Sequence, residues 1–342
     1  MLTTLNGPTR QSGSGPARWP LVVVAVVGFA LIAMPLVFNM FNKTPKGAVM
    51  IAQFKPFMTT ARLDGFQTDL KEINAGVRQT DTSVATYLTA HSNQRTTLET
   101  TFPSFVTFDK EWPGIDSKMT GLMDQVQANQ GNYRAVAALP SFRLFPWFFV
   151  TPGVPILAFA LASIFRPNWK RKGPVVLVIF GVGLITAPVA FQMFQRAPSG
   201  GQMMSAFKNL ETTANVEQIQ GFFGEMAEGQ GIIRIQIVPT LEQDGLTPNQ
   251  VAAKFPNVTT LDARWVHILN DMTPMIGVMS DNVANYQAIA SLPPFPLFPW
   301  FFVLPGLIVI GLALAARPGE RVGNNAPSKV QSVSVPHYQG VS

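Results

Sequence analysis

Apolar residues follow two patterns along this chain. Four stretches, at 19–42, 144–165, 174–195 and 298–316, contain no Asp, Glu, Lys or Arg. A helix needs about 20 apolar residues to cross the hydrocarbon layer of a bilayer, so this pattern predicts four transmembrane helices. The first is long and has no small-x-small cleavage site at its end, which makes it an uncleaved anchor rather than a secretory signal. In the long segments between spans the apolar positions instead recur at alternating steps of four and three. One series visits Phe108, Trp112, Ile115, Met119, Leu122, Val126, Asn129, Tyr133 and Val136. The other visits Leu261, Trp265, Ile268, Met272, Met275, Met279, Asn282, Tyr286 and Ile289. Such a stripe predicts long helices packed at bundle-like crossing angles.

Local signals refine this picture. Residues 47–75 and 200–228 read as helices that end near Gly76 and Gly229. Thr247-Pro248 reads as an N-cap with proline in the first turn. Pro113 and Pro274 mark a helix start or a kink. The run "IIRIQIV" at 232–238 alternates like a strand but has no strand to pair with, so it is assigned as helix or irregular chain.

The two stripes belong to a longer internal match. Laying each residue over the one 153 positions later aligns Phe38 with Phe191, Pro45 with Pro198, Glu72 with Glu225, Trp112 with Trp265 and Tyr133 with Tyr286, without a gap. Each copy is a span, an outer segment and a returning span, so both copies share one orientation. The predicted fold class is therefore an all-α integral membrane protein. Its four transmembrane helices carry two tandem-repeat extracytoplasmic helical-bundle domains, at 43–143 and 196–297.

Charge sets the orientation. Only 13% of residues are charged, about half the usual share for a soluble domain. Segments 1–18, 166–173 and 317–342 hold nine Lys and Arg against one acid, Glu320. Short flanks rich in Lys and Arg stay cytoplasmic. This predicts a cytoplasmic N-terminus, a cytoplasmic basic loop and a cytoplasmic, disordered tail. The basic pI is then a topology signal and not a nucleic-acid footprint. The outer segments differ: the first has eleven basic and nine acidic residues, the second five and nine.

Candidate chemistry is sparse. The three histidines are isolated, there is no cysteine, and no hydrolase, zincin, phosphate-loop or dinucleotide motif is present. The sequence thus predicts no catalytic, metal or cofactor site, and a protein that is not an enzyme. The matching acids Glu72/Glu225 and Asp109/Asp262 read as helix-surface charges. Gly181, Gly183, Gly306 and Gly311 suit close contacts between spans, and Asn129 and Asn282 suit buried register positions. Met272, Met275 and Met279, together with Trp112 and Trp265, are the candidate contacts for a partner or a lipid.

One phrase stands out: "LPSFRLFPWFFV" recurs as "LPPFPLFPWFFV". Phe145, Pro146, Trp147, Phe148 and their counterparts Phe298, Pro299, Trp300 and Phe301 fall where the chain re-enters the membrane. Trp and Phe suit that depth, and proline fits a first helical turn. Pro140, Pro152, Pro293 and Pro305 then bend or break the connection. The phrase reads as a joint at the membrane interface.

Carrying this phrase on paired span–segment–span units, the chain resembles multi-span accessory proteins of actinobacterial envelopes, among them the LucB-like accessory subunits of Mce-type lipid importers. The resemblance implies a larger membrane complex as partner, contact with membrane lipids, and a role in fatty-acid or sterol import. The residues themselves leave three readings open: a non-catalytic accessory or scaffold subunit, an extracytoplasmic sensor working through a separate output partner, and a lipid-binding or lipid-transfer protein.

Overall fold

The computed structural model describes residues 18–91 and 97–317. The predicted N-terminal segment 1–18, save Arg18, and the tail 317–342, save Arg317, lie outside the described residues. Within them the chain is helical and contains no strand. In order the helices are α1 (Trp19–Val37), α2 (Met40–Phe54), α3 (Thr60–Gln79), α4 (Ala85–His91), α5 (Leu98–Thr101), α6 (Pro103–Ala128), α7 (Gln130–Ala137) and α8 (Phe145–Phe165). The second half follows with α9 (Lys172–Ala190), α10 (Met193–Phe207), α11 (Thr213–Ile232), α12 (Val238–Gln243), α13 (Pro248–Lys254), α14 (Pro256–Ala290) and α15 (Trp300–Ala315).

Four segments, ending on α1, α8, α9 and α15, are long and apolar enough to cross a membrane. At about 1.5 Å per residue, the 19 residues of α1 match the roughly 30 Å hydrocarbon layer. Two spans stop sooner than the apolar pattern suggests. Asn39 and Gln192, 153 residues apart, adopt left-handed backbone with φ of 52° and 55°. Each turns the chain into a new helix, α2 or α10, so residues 40–42 and 193–195 leave the span.

The four apolar helices pack as α1 on α8, α9 on α15, α8 on α9 and α1 on α15. Glycines set the closest crossings. A Cβ on Gly28 would lie 2.7 Å from the Leu157 nitrogen, and one on Gly153 would lie 3.1 Å from the Gly28 carbonyl. Gly181 and Gly306 repeat this: a Cβ on either would meet the other's carbonyl oxygen, at 3.0 and 2.8 Å. Gly183 and Gly311, also expected at contacts, face open space. Much of the outer face is apolar and exposed, including Val26, Phe29, Ile179 and Leu307.

The remaining helices form one head. Most of them share a core to which Leu63, Phe66, Phe105 and Phe108 contribute from the first half and Val216, Ile219, Leu261 and Ile268 from the second. In contrast, α2, α7 and α10 bury Met40, Tyr133, Val136, Met193 and Met203 in the cluster that continues into the apolar helices. The halves exchange partners: α2 and α3 pack on α14, α10 packs on α7, and α11 packs on both α6 and α14. Polar bonds tie the halves together. Arg62 pairs with Asp271 at 3.0 Å, and Arg264 reaches Asp69 at 3.4 Å and also Glu72. Gln79 Oε1 accepts from the backbone N–H of Asn257 and Val258, at 2.7 and 3.1 Å, and so caps α14 from the other half.

The stripes form the core faces of these helices. Every position named in the second is buried, and in the first only Val126 is half-buried. Pro113 and Pro274 lie within continuous helices. Thr247 caps α13 through a capping box with Gln250. The "IIRIQIV" run is a π-helical turn at Ile233–Ile237, matched at Thr80–Val84. The helices read at 47–75 and 200–228 are each broken in two, with Thr59 and Thr212 capping α3 and α11. Gly76 and Gly229 lie inside those helices and not at their ends. A Cβ on Gly76 would lie 2.6 Å from Leu261 Cδ2, and one on Gly229 2.4 Å from Phe108 Cδ1. Each glycine is the point where one half's helix crosses the other half's stripe.

Candidate functional site

Two places in the fold gather the residues singled out by sequence. The first is the re-entry joint. The repeated phrase packs against its own copy: Phe142 faces Phe295, Phe145 faces Phe298 and Phe149 faces Phe302, with ring centroids 5.6, 4.9 and 4.6 Å apart. Phe145, Pro146, Phe298 and Pro299 are buried, and Phe148 and Phe301 are half-buried. Of the aromatic residues here, the tryptophans look outward. Trp147 and Trp300 are 53% and 48% exposed, each edge-on to a phenylalanine at the start of its own half, Phe41 or Phe194, at 5.7 Å. Outward tryptophans beside an exposed apolar girdle suit the headgroup depth of a bilayer. Pro146 sits in the first turn of α8 and Pro299 at the N-cap of α15. Pro140 and Pro293 fall in the linkers, whereas Pro152 and Pro305 lie inside α8 and α15 and do not end them.

The second place is a narrow cavity of about 50 Å³ between the two halves of the head. Its walls come in pairs 153 residues apart: Met50 and Met203, Ile51 and Met204, Phe54 and Phe207, Leu122 and Met275, Val126 and Met279, Tyr133 and Tyr286. The cavity therefore lies where the halves are related to each other. Tyr133 and Tyr286 turn their hydroxyls away, donating to the carbonyls of Ile51 and Met204 at 2.6 and 2.5 Å.

One pair breaks the apolar match: Met58 is opposed by Glu211. Glu211 is 4% exposed, and its Oε2 is buried without a hydrogen-bond partner. Burial pushes its carboxyl up to about 8, so the group is mostly protonated at neutral pH. It also raises the neighbouring Tyr286, whose shift comes first from burial and then from the Glu211 charge.

The cavity sorts the sequence candidates. Met275 and Met279 line it, whereas Met272, Trp112 and Trp265 are core residues of the head and lie outside it. Trp112 donates its indole N–H to Asn74 Oδ1 at 3.0 Å. These three are 0%, 3% and 6% exposed, so their role in the structure is packing. The first-half methionines Met50, Met58 and Met123 also line the cavity and escaped the sequence reading. So did Glu211, although the repeat offered a signal, since an acid there aligns with a methionine.

Several other candidates have structural partners. Asn282 donates to Gln53 Oε1 at 2.8 Å and so binds the stripe to the other half. Asp262 lies 3.5 Å from Arg234 and accepts from Gln230 at 3.0 Å. His91 stacks on Tyr87, and His267 lies 3.5 Å from Asp271. Among the described residues no three His, Cys, Asp or Glu side chains converge as a metal site would require. Compared with protein families, with characterised proteins and with solved structures, the chain matches none.

Proposed function

We propose that this chain is a tandem duplication that forms a multi-pass membrane protein with both termini cytoplasmic, and that it serves as a non-catalytic scaffold subunit of a lipid-handling complex of the cell envelope. The orientation rests on the basic residues clustered at 1–18, 166–173 and 317–342. The membrane position is supported by the apolar outer faces of α1, α8, α9 and α15 and by the outward Trp147 and Trp300.

The observation that carries the scaffold reading is the exchange of helices between halves. A sensor of two separate input modules needs each head to move on its own pair of spans. Here Arg62–Asp271, Arg264–Asp69 and the shared apolar core join both segments into one body. A body of this kind suits a platform, and its halves offer partners surfaces of opposite net charge.

A C-terminally tagged copy at its native locus, solubilised in mild detergent, tests this. The expected result is a stoichiometric complex containing lipid-transport components, recovered again when a partner is tagged. A protein that runs alone on native gels overturns the scaffold reading. Orientation is checked with single cysteines in this cysteine-free chain. In intact cells an impermeant maleimide should label a cysteine at Asp64 and spare one at Lys170, and the reverse pattern refutes the topology.

A further inference from the structure

We propose that the cavity between the two halves is a binding site for a neutral, hydroxyl-bearing long-chain amphiphile, with the Glu211 carboxyl as its hydrogen-bonding anchor. The proposal rests on the head lying outside the bilayer, as read above, but not on the identity of any partner complex.

Three features support it. The first is the unpaired anchor. Where the first half places Met58, the second places Glu211, buried with Oε2 unsatisfied, and no salt bridge reaches it among the described residues. A buried polar atom without a partner is destabilising, and a ligand that supplies the missing bond gains affinity from it. The second is the charge state. Burial holds the carboxyl as an acid near neutral pH, so it presents one O–H donor and one acceptor. An alcohol complements both, because its hydroxyl can accept from the acid O–H and donate to the acid carbonyl. An alkane offers neither bond, and a quaternary ammonium requires the acid to ionise in an apolar site.

The third feature is the wall. Methionines from both halves, among them Met50, Met203, Met275 and Met279, surround the space with unbranched, flexible side chains. At about 50 Å³ the cavity is a slot and not a chamber. An alkyl chain enters by turning methionines aside, which costs less than displacing branched or aromatic side chains.

The test is photolabelling of the purified full chain with hexadecanol carrying a diazirine at the chain end, with adducts mapped by peptide mass spectrometry. Labels are expected on cavity residues of α2, α10 and α14. Hexadecanol should displace them, while hexadecane and hexadecyltrimethylammonium should not. Because only the acid form binds, labelling should fall about tenfold between about pH 6 and about pH 9. Glu211→Gln retains a donor and an acceptor, so it should keep the labelling and lose the pH dependence. Glu211→Met, which copies Met58, should make hexadecane and hexadecanol compete equally. Thermal melts of both variants control for folding.

The proposal is overturned if adducts spread over the exposed spans and spare the cavity. It is equally overturned if the ammonium competes best, or if Glu211→Met keeps the preference for the alcohol. Recovery of the envelope complex with Glu211→Met would separate the two readings, since the scaffold role does not need the ligand.

Discussion

The crossing at Gly229 allows a direct test of the exchanged fold. A Cβ there would lie 2.4 Å from both Cδ1 and Cε1 of Phe108, about 1 Å inside ordinary contact. The ring cannot easily swing away. Phe108 is 5% exposed and sits between Phe105 and Trp112, with centroids 6.2 and 5.7 Å from its own. Overpacking of this kind costs about 1–3 kcal/mol, while replacing a helical glycine by alanine recovers up to about 1 kcal/mol. Gly229→Ala should therefore be neutral to about 2 kcal/mol destabilising. Gly121 in α6 and Gly224 in α11 face open space, and their alanine variants should gain about 0.5–1 kcal/mol. Thermal unfolding in detergent, followed by tryptophan fluorescence, would rank the three. Phe108→Ala should remove the penalty in a double-mutant cycle. If Gly229→Ala raises the melting temperature as much as Gly121→Ala, α11 does not cross α6 at this point, and the exchanged packing is wrong.

Other consequences follow from the same contacts. The chain has no cysteine, so Gly76→Cys with Leu261→Cys places two thiols at this crossing. Their Cβ atoms would lie 3.0 Å apart, closer than the roughly 3.5–4.5 Å of a disulfide, so oxidation should crosslink them once the helices ease apart by about 0.5 Å, giving a shift on a non-reducing gel. Glu211 holds its proton in the folded state up to about pH 8 but releases it near 4.5 when unfolded. Its contribution to stability is therefore complete below about pH 4.5 and declines by about 5 kcal/mol as pH rises to about 8, so Glu211→Met should flatten the fall in melting temperature between about pH 5 and about pH 8. Arg264→Met strands the buried Asp69, whose carboxyl is already raised by burial and by Asp271. Since Arg264 is partly exposed, the loss should be about 2–4 kcal/mol at neutral pH, and it should shrink on acidification as Asp69 takes up a proton, in equilibrium melts. On the other side of the head, Glu111 occupies the place of Arg264 and, after burial, raises the Glu225 carboxyl. Glu111→Arg should recreate the ion pair and stabilise by about 0.5–1 kcal/mol, with the gain shrinking in high salt.

What the sequence determined by itself is whatever depends on local periodicity and length. The four apolar helices follow from uncharged runs, and the buried stripes of α6, α7 and α14 follow from their four-three spacing, because burial on one helix face imposes that period on any chain. The 153-residue register also carried structural content, since paired positions such as Tyr133 and Tyr286 make the same backbone bond. Glycine was ambiguous: Gly76 and Gly229 read as helix ends, because the absence of a side chain serves a C-cap and a close crossing equally well. Only the tertiary structure decided between them, by bringing Leu261 and Phe108 from the other half onto those positions. The pairing of the halves was likewise hidden. Two near-copies present nearly the same apolar stripe, so the pattern alone is degenerate between packing within a copy and packing across copies. Residues that differ between copies mark the cross-half contacts, among them Arg62 with Asp271 and Gln79 at the start of α14. Glu211 belongs with them, because its sequence neighbours say nothing of burial. The cavity it lines is walled by residues of α2, α6, α7, α10 and α14, which the fold brings together and chain order does not.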